Sequence, residues 1–178
     1  ALLDKNYDSK KSQSVEPSEL FESLKKVGIA ASPEGGRPVL TGVYFNNQND
    51  KTELAATDSY RLATYNLTNF PIKDAGILSF RSLNETARIF EQTEEKIEIN
   101  STERELHFHD KRFSASIRKL EGSFPEYGNL FPKETIFSIE VNKNDILNTL
   151  DRATVVAEGF IPVKLEVSDS KTLKITTI

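Results

Sequence analysis

A helix-and-hairpin pattern that occurs twice is the feature that most constrains the fold of this chain. Ser18–Leu24 resembles Asn144–Leu150, and Lys51–Thr57 resembles Lys171–Thr177 farther along the sequence. In both places an amphipathic helix precedes a β-hairpin. The pattern predicts an internal duplication, in which a complete first copy is followed by part of a second. Chance similarity between two amphipathic helices is the alternative.

Hydrophobic periodicity predicts the secondary structure around this repeat. A first helix is predicted over residues 16–27, where apolar residues recur at helical spacing. A second helix is predicted to begin at Ser82, with Glu85 completing a capping box, and a third begins near Asn142. Alternation with a period of two predicts strands over residues 39–45, 51–57, 60–67, 77–80, 96–100, 105–109, 112–117, 163–167 and 172–178.

These elements predict an α+β fold, in which two helices per repeat pack on one side of antiparallel sheets. The complete first copy would span residues 16–132, and residues 133–178 would form the incomplete second copy. Residues 1–15 are polar and are predicted to form a linker or a loose N-terminal segment. A segment as short as the second copy rarely builds its own core, so we expect it to depend on the first.

The composition excludes several classes of protein. Cysteine is absent and only two histidines occur, which excludes disulfide scaffolds, thiol nucleophiles and cysteine-based zinc sites. The formal charge is −4, so any binding to nucleic acid has to rest on local clusters of positive charge. The sequence has neither an apolar run of roughly 18 residues, as a membrane span requires, nor a targeting signal at its start. A cytoplasmic protein is therefore expected.

A search for catalytic motifs finds none that supports an enzyme. The sequence lacks a phosphate-binding G-x-x-x-x-G-K-[ST] loop, a G-x-S-x-G elbow and a nucleophile with an accompanying base. His107, His109 and Asp110 form a metal-like cluster, but a further ligand is missing nearby, and the exposed end of a strand is the favoured interpretation. We therefore predict no catalytic residue, no metal and no cofactor.

Three blocks of sequence are distinctive in their order and spacing. They are Arg37–Phe45, Leu54–Ala63 and Leu120–Tyr127, the last followed by Leu130–Pro132. Together they closely resemble the bacterial replicative sliding clamps, the beta subunits of DNA polymerase III. The resemblance covers the chain from about residue 16 to its end. It assigns residues 16–132 to the middle domain of that family and residues 133–178 to an incomplete third domain.

The resemblance implies a processivity factor and not an enzyme. In this family two head-to-tail protomers of three similar domains form a homodimeric ring around duplex DNA, with helices lining the hole and sheets forming the outer wall. The ring holds DNA by topology without reading its sequence, and a separate clamp loader opens it. The implied partners are double-stranded DNA, the catalytic subunit of DNA polymerase III, the clamp loader and other proteins that carry a clamp-binding motif. A non-enzymatic α+β protein-binding module unrelated to replication is the alternative function.

The resemblance also implies a hydrophobic groove on the middle domain that captures short peptides from partner proteins. Apolar side chains would hold a leucine or phenylalanine anchor, and the stem of Arg61 would form one wall. The remaining wall would come from the third domain, beyond Ile178. Matched by motif position, the groove residues are Leu40, Thr57, Ser59, Tyr60, Arg61, Leu62, Pro125, Asn129 and Leu130. A plain hairpin turn is the alternative interpretation of residues 57–60.

A second set of residues is predicted to face the DNA. A sliding ring must not bind phosphate tightly, so a net-acidic body with a few cations on its inner helices suits this role. The candidate DNA-facing residues are Lys25, Lys26, Arg37, Arg81, Arg88, Lys143 and Arg152. For each of them an ordinary surface cation is the alternative.

Overall fold

The computed structural model of the chain divides into two units, residues 1–126 and residues 127–178. It describes residues 12–48, 51–68, 70, 72–93, 95–135, 137–156, 162–169 and 172–177. The first unit contains β1 (Gln13–Val15), α1 (Pro17–Gly28), β2 (Gly42–Gln48), β3 (Lys51–Thr57), β4 (Leu62–Leu67), β5 (Gly76–Ser79), α2 (Phe80–Ile89), β6 (Ile97–Ser101), β7 (Glu105–His109) and β8 (Ser114–Arg118). The second contains α3 (Lys143–Val156), β9 (Val163–Asp169) and β10 (Thr172–Thr177). Within the described ranges, no helix has the length and apolar character needed to cross a bilayer.

Two antiparallel sheets of four strands form the first unit. One has the order β1-β6-β7-β8 and the other the order β4-β3-β2-β5. They are joined where the chain leaves β8, because Lys119 bridges to Leu78 on β5 and the Leu120 N–H donates to the Ile77 carbonyl at 2.8 Å. This connection makes the two sheets parts of a single core.

The first helix folds as its sequence predicts. Pro17 occupies the first turn of α1, where its missing N–H leaves no bond unmade, and Lys25 and Lys26 lie in the last turn, where cations favour the helix dipole. The apolar stripe of α1 is buried, and its Phe21 ring stacks on Phe90 at a centroid distance of 6.4 Å. The two helices approach closely because Gly28 has no side chain where the Phe80 ring packs. The fold is α+β, as predicted.

The predicted strand over residues 39–45 is wrong at its start. Pro38–Thr41 form a 3₁₀ helix, and β2 begins only at Gly42. Proline fixes φ near the helical value, and the Leu40 N–H closes this turn on the Arg37 carbonyl at 3.0 Å. Leu40 is therefore presented by a rigid turn and not by a strand.

Other boundaries also differ from the prediction, and two of them have a clear local cause. The strand predicted from residue 60 begins at Leu62, because a side-chain-stabilised turn precedes it. The predicted cap at Ser82 is also wrong. The residue that caps α2 is Ser79, whose hydroxyl accepts the Ser82 N–H at 3.4 Å. Ser79 lies three residues before Ser82, and its backbone is extended, as is typical of an N-cap.

Part of the predicted N-terminal linker is structured. Gln13–Val15 pair with β6 in the register Val15 to Ile97, and Val15 is buried in the core. Residues 1–11 lie outside the described residues. The sequence pattern did not predict this edge strand, since three residues are too few for alternation to be recognised.

The described residues of the second unit form a short 3₁₀ helix over Gly128–Leu130, the helix α3 and one hairpin. Asn142 caps α3, since its Oδ1 accepts the N–H groups of Asn144 at 2.9 Å and Asp145 at 3.4 Å. The helix packs against β10, which pairs antiparallel with β9. A helix is thus followed by an antiparallel hairpin in both units, in the order that the repeat predicts.

Candidate peptide-binding site

The turn between β3 and β4 is built around one carboxylate. Asp58 Oδ1 accepts the N–H groups of Tyr60 and Arg61, both at 3.0 Å, and its Oδ2 accepts the Arg61 Nε–H at 3.0 Å. Partial burial raises the pKa of Asp58, but these three hydrogen bonds and the charge of Arg61 outweigh it, so the pKa lies below its ordinary value. The carboxylate therefore remains charged and fixes the shape of the turn.

Thr57 and Ser59 complete the same turn. The Thr57 hydroxyl donates to the Arg61 carbonyl at 2.7 Å and accepts the Ser59 N–H at 3.1 Å. Ser59 has a φ of 80°, a left-handed conformation that costs a residue with a side chain some strain. Because Asp58 and Thr57 supply the hydrogen bonds that hold this backbone, the tip of the turn is preorganised. Tyr60 projects from it with 98% of its surface exposed.

Seven of the nine predicted groove residues belong to the first unit. Four of them, Thr57, Ser59, Tyr60 and Arg61, lie in the turn just described, and Leu62 is the first residue of β4. Leu40 lies in the 3₁₀ helix and is only 4% exposed, whereas Pro125 is exposed. Asn129 and Leu130 lie in the second unit, in a 3₁₀ helix over Gly128–Leu130, and Leu130 is 68% exposed.

An open pocket of about 500 Å³ lies beside the segment that leads to Pro125. One side is formed by Tyr44, whose ring stacks on Phe124 at a centroid distance of 5.1 Å. The lining also carries acidic and basic side chains, among them Glu103, Arg104 and Arg118. No motif or periodicity in the sequence predicted this pocket or Lys119, which lines it. The strand position of Tyr44 and the aromatic residue before Pro125 were the signals that could have suggested the stacked pair.

The predicted DNA-facing cations are all exposed. In the first unit Lys25, Lys26, Arg81 and Arg88 lie on the two packed helices, and Arg37 lies just before the 3₁₀ helix. Arg88 pairs with Glu85 at 3.4 Å, and the Lys26 ammonium lies 5.7 Å from the centre of the Tyr65 ring. The last two, Lys143 and Arg152, are exposed on α3 of the second unit. The helices of the first unit therefore expose four cations, together with the carboxylates of Glu19, Glu22 and Glu85.

The residues of the metal-like cluster lie on β7 and in the turn that follows it. His107 is buried on the central strand β7, with its Nε2 3.6 Å from a Glu105 carboxylate oxygen. Asp110 closes the turn after β7 by accepting the N–H groups of Arg112 and Phe113. In the part of the chain that the structure describes, no three His, Asp or Glu side chains are grouped so as to hold a metal ion.

The comparisons with known proteins agree with this architecture. The family model of the central domain of the DNA polymerase III beta subunit matches residues 14–126. The Beta sliding clamp of Halalkalibacterium halodurans is 35% identical over 163 residues, which cover 86% of this chain and 41% of that protein. The Beta sliding clamp of Bacillus subtilis is 29% identical, over 90% of this chain and 44% of that protein. The chain thus spans less than half the length of these relatives.

The fold is also found in solved structures. The crystal structure of the DNA polymerase sliding clamp from Bacillus subtilis superposes with a TM-score of 0.83 and 26% identity, covering 96% of this chain and 46% of that one. The beta subunit from Streptococcus pyogenes gives a TM-score of 0.81 at 22% identity, which supports the fold alone.

Proposed function

Because the chain belongs to the family of bacterial DNA polymerase III beta subunits, we propose that it is part of a sliding clamp. The complete protein would form a homodimeric ring around duplex DNA and serve as a processivity factor in replication. It would act by topology, so the proposal requires no catalytic residue and no cofactor. We assign residues 16–132 to the middle domain and residues 133–178 to an incomplete third domain, and the match of the central-domain family model to residues 14–126 supports the first assignment.

The observation that carries this proposal is that the two packed helices of the first unit expose four cations on a chain whose net charge is negative. Lys25 and Lys26 end α1, and Arg81 and Arg88 lie on α2. Each such cation adds affinity for phosphate, and a small number on a net-acidic chain gives weak contact that permits sliding. This charge distribution suits the lining of a ring better than it suits a protein that grips DNA tightly.

The groove residues support a second part of the proposal, which is docking of partner peptides. Leu40 is held by a rigid turn, and the preorganised β3–β4 turn presents Tyr60 and Arg61 next to Leu62. A preformed surface costs little conformational entropy when a peptide binds. We propose that the catalytic subunit of DNA polymerase III, the clamp loader and other proteins with a clamp-binding motif use it in turn, in the cytoplasm.

A circular-DNA retention assay tests the ring. The complete protein that contains this chain is loaded onto a nicked plasmid by its clamp loader, and bound protein is separated by gel filtration. We expect the protein to stay with circular DNA in high salt and to be released when the plasmid is cut once. Equal retention on circular and linear DNA would contradict topological tethering and would favour an unrelated binding module.

A further inference from the structure

The segment from Lys119 to Pro125 connects the two sheets to the candidate groove. It follows β8, and the N–H groups of Lys119 and Leu120 donate to the carbonyls of Arg104 and Ile77, each at 2.8 Å. The segment therefore crosses from one sheet to the other before it reaches Pro125, a predicted groove residue.

The side chain of Lys119 holds the start of this segment. Its ammonium group donates to three oxygens, the carbonyl of Asp74 at 2.5 Å, the hydroxyl of Ser101 at 2.9 Å and the carbonyl of Thr102 at 2.6 Å. A lysine ammonium has three N–H donors, so all of them are used. Burial lowers the pKa of Lys119, although the charge of Asp74 opposes this. The residue is thus a fixed anchor and not a freely moving surface lysine.

The rest of the segment packs on the turn that presents Leu40. A Cβ added to Gly122 would lie 2.9 Å from Cγ1 of Val39, and one added to Gly42 would lie 2.9 Å from Cδ1 of Leu120. Both distances are shorter than an ordinary contact between carbon atoms, so the segment packs tightly against Val39 and Gly42. Val39 belongs to the 3₁₀ helix and Gly42 directly follows it. Residues 120–122 therefore pack against the helix that contains Leu40.

We propose that Lys119 is a positioning residue of the peptide groove, which acts by anchoring residues 119–125 against the 3₁₀ helix and thereby fixes Leu40 and Pro125 for binding. Lys119 itself does not touch the peptide. This inference rests on the proposed docking function and adds to it a residue that the motif comparison did not place in the groove.

The test compares peptide affinities at a temperature where every variant is fully folded. The probe is a short synthetic peptide with Gln-Leu and Leu-Phe anchors, titrated by NMR and by isothermal calorimetry into the complete protein that contains this chain. We expect Lys119→Met to weaken binding at least about threefold, because the groove is then competent in only a fraction of the molecules. Lys111→Met is the matched control, since Lys111 lies at the other end of the β7–β8 hairpin and pairs with Glu95 at 2.8 Å.

The outcomes separate this inference from the proposed function. If the complete unmodified protein binds no peptide, the docking proposal fails and this inference fails with it. If the complete unmodified protein binds but its Lys119→Met variant binds equally well and only melts at a lower temperature, Lys119 is merely structural and only this inference is overturned.

A second variant keeps the inference testable if Lys119→Met does not fold. Tyr44→Leu removes the stacking on Phe124 while leaving an apolar residue in β2. We expect it to weaken peptide binding in the same direction as Lys119→Met, with chemical-shift changes at Leu40 and in residues 120–125. Unchanged affinity in Tyr44→Leu would overturn the view that this segment positions the groove.

Discussion

Gly42 shows how a single missing side chain allows the groove turn to pack. It is the first residue of β2, directly after the 3₁₀ helix that carries Leu40. A Cβ at this position would lie 2.7 Å from Cγ2 of Ile77 and 2.8 Å from the carbonyl oxygen of Leu78. The carbonyl belongs to the paired strand β5 and cannot move without breaking the sheet.

We therefore expect Gly42→Ala to destabilise the chain by about 1–3 kcal/mol, the typical cost of overpacking. The free energy of unfolding is measured by urea denaturation. Gly36→Ala is the control, because nothing lies within 4 Å of a Cβ there. Its free energy of unfolding should equal or slightly exceed that of the unmodified chain, and an equal decrease in both variants would refute the packing argument.

At the scale of elements, two serines near the start of α2 are candidates for the residue that caps the helix. The sequence favours Ser82 with Glu85, whereas the structure places the cap at Ser79. We expect Ser79→Ala to lower the free energy of unfolding by about 0.5–2 kcal/mol and Ser82→Ala to lower it by much less. Thermal unfolding followed by circular dichroism measures both. A larger effect at Ser82 would mean that the helix begins later than described.

The sequence predicted elements well wherever long stretches of side chains carried a period. The stripe of α1 and the alternation of β3 and β7 are such cases, and β3 and β7 were predicted with their observed bounds. The prediction failed where one local interaction decides the backbone. Pro38 makes a turn inside an apparently alternating stretch, and β1 depends on pairing with β6, a contact that is distant in sequence.

The residues of the candidate site show the same contrast between what the sequence predicts and what only the structure reveals. The motif blocks assigned Leu40, Arg61 and Leu62 to a predicted groove without any knowledge of the backbone. The role of Asp58 as the acceptor that shapes the turn, and the anchoring of Lys119 on three oxygens, depend on atoms contributed by backbone carbonyls and amides. Such interactions leave no spacing pattern, so periodicity cannot reveal them.

At the scale of the whole molecule, the helix cations are expected to govern binding to DNA. In Lys25→Gln/Lys26→Gln/Arg81→Gln, three exposed cations of the two packed helices are neutralised. We expect weaker binding to a duplex at low salt. The slope of log affinity against log salt should also fall by about 0.9 for each phosphate that the protein no longer neutralises. Fluorescence anisotropy with a labelled duplex, repeated at several salt concentrations, measures both quantities.

A charge-matched control distinguishes local binding from overall charge. Lys51→Gln/Lys111→Gln/Lys164→Gln removes the same number of exposed cations from positions outside the helices. This control should keep a salt slope close to that of the unmodified chain. An equal decrease in affinity for the two triple variants would mean that net charge alone determines the binding, and the helices would then have no special role.

The exposure of Tyr60 provides the chain with its own optical reporter. The sequence has no tryptophan, so tyrosine dominates the near-ultraviolet emission. Among the tyrosines that the structure describes, Tyr44 is stacked on a ring, Tyr65 lies beneath an ammonium group and Tyr127 is buried. A collisional quencher such as acrylamide reaches Tyr60 first, and a ligand that covers the β3–β4 turn shields it. Occupancy of the turn can thus be followed by light emission from the unlabelled polypeptide.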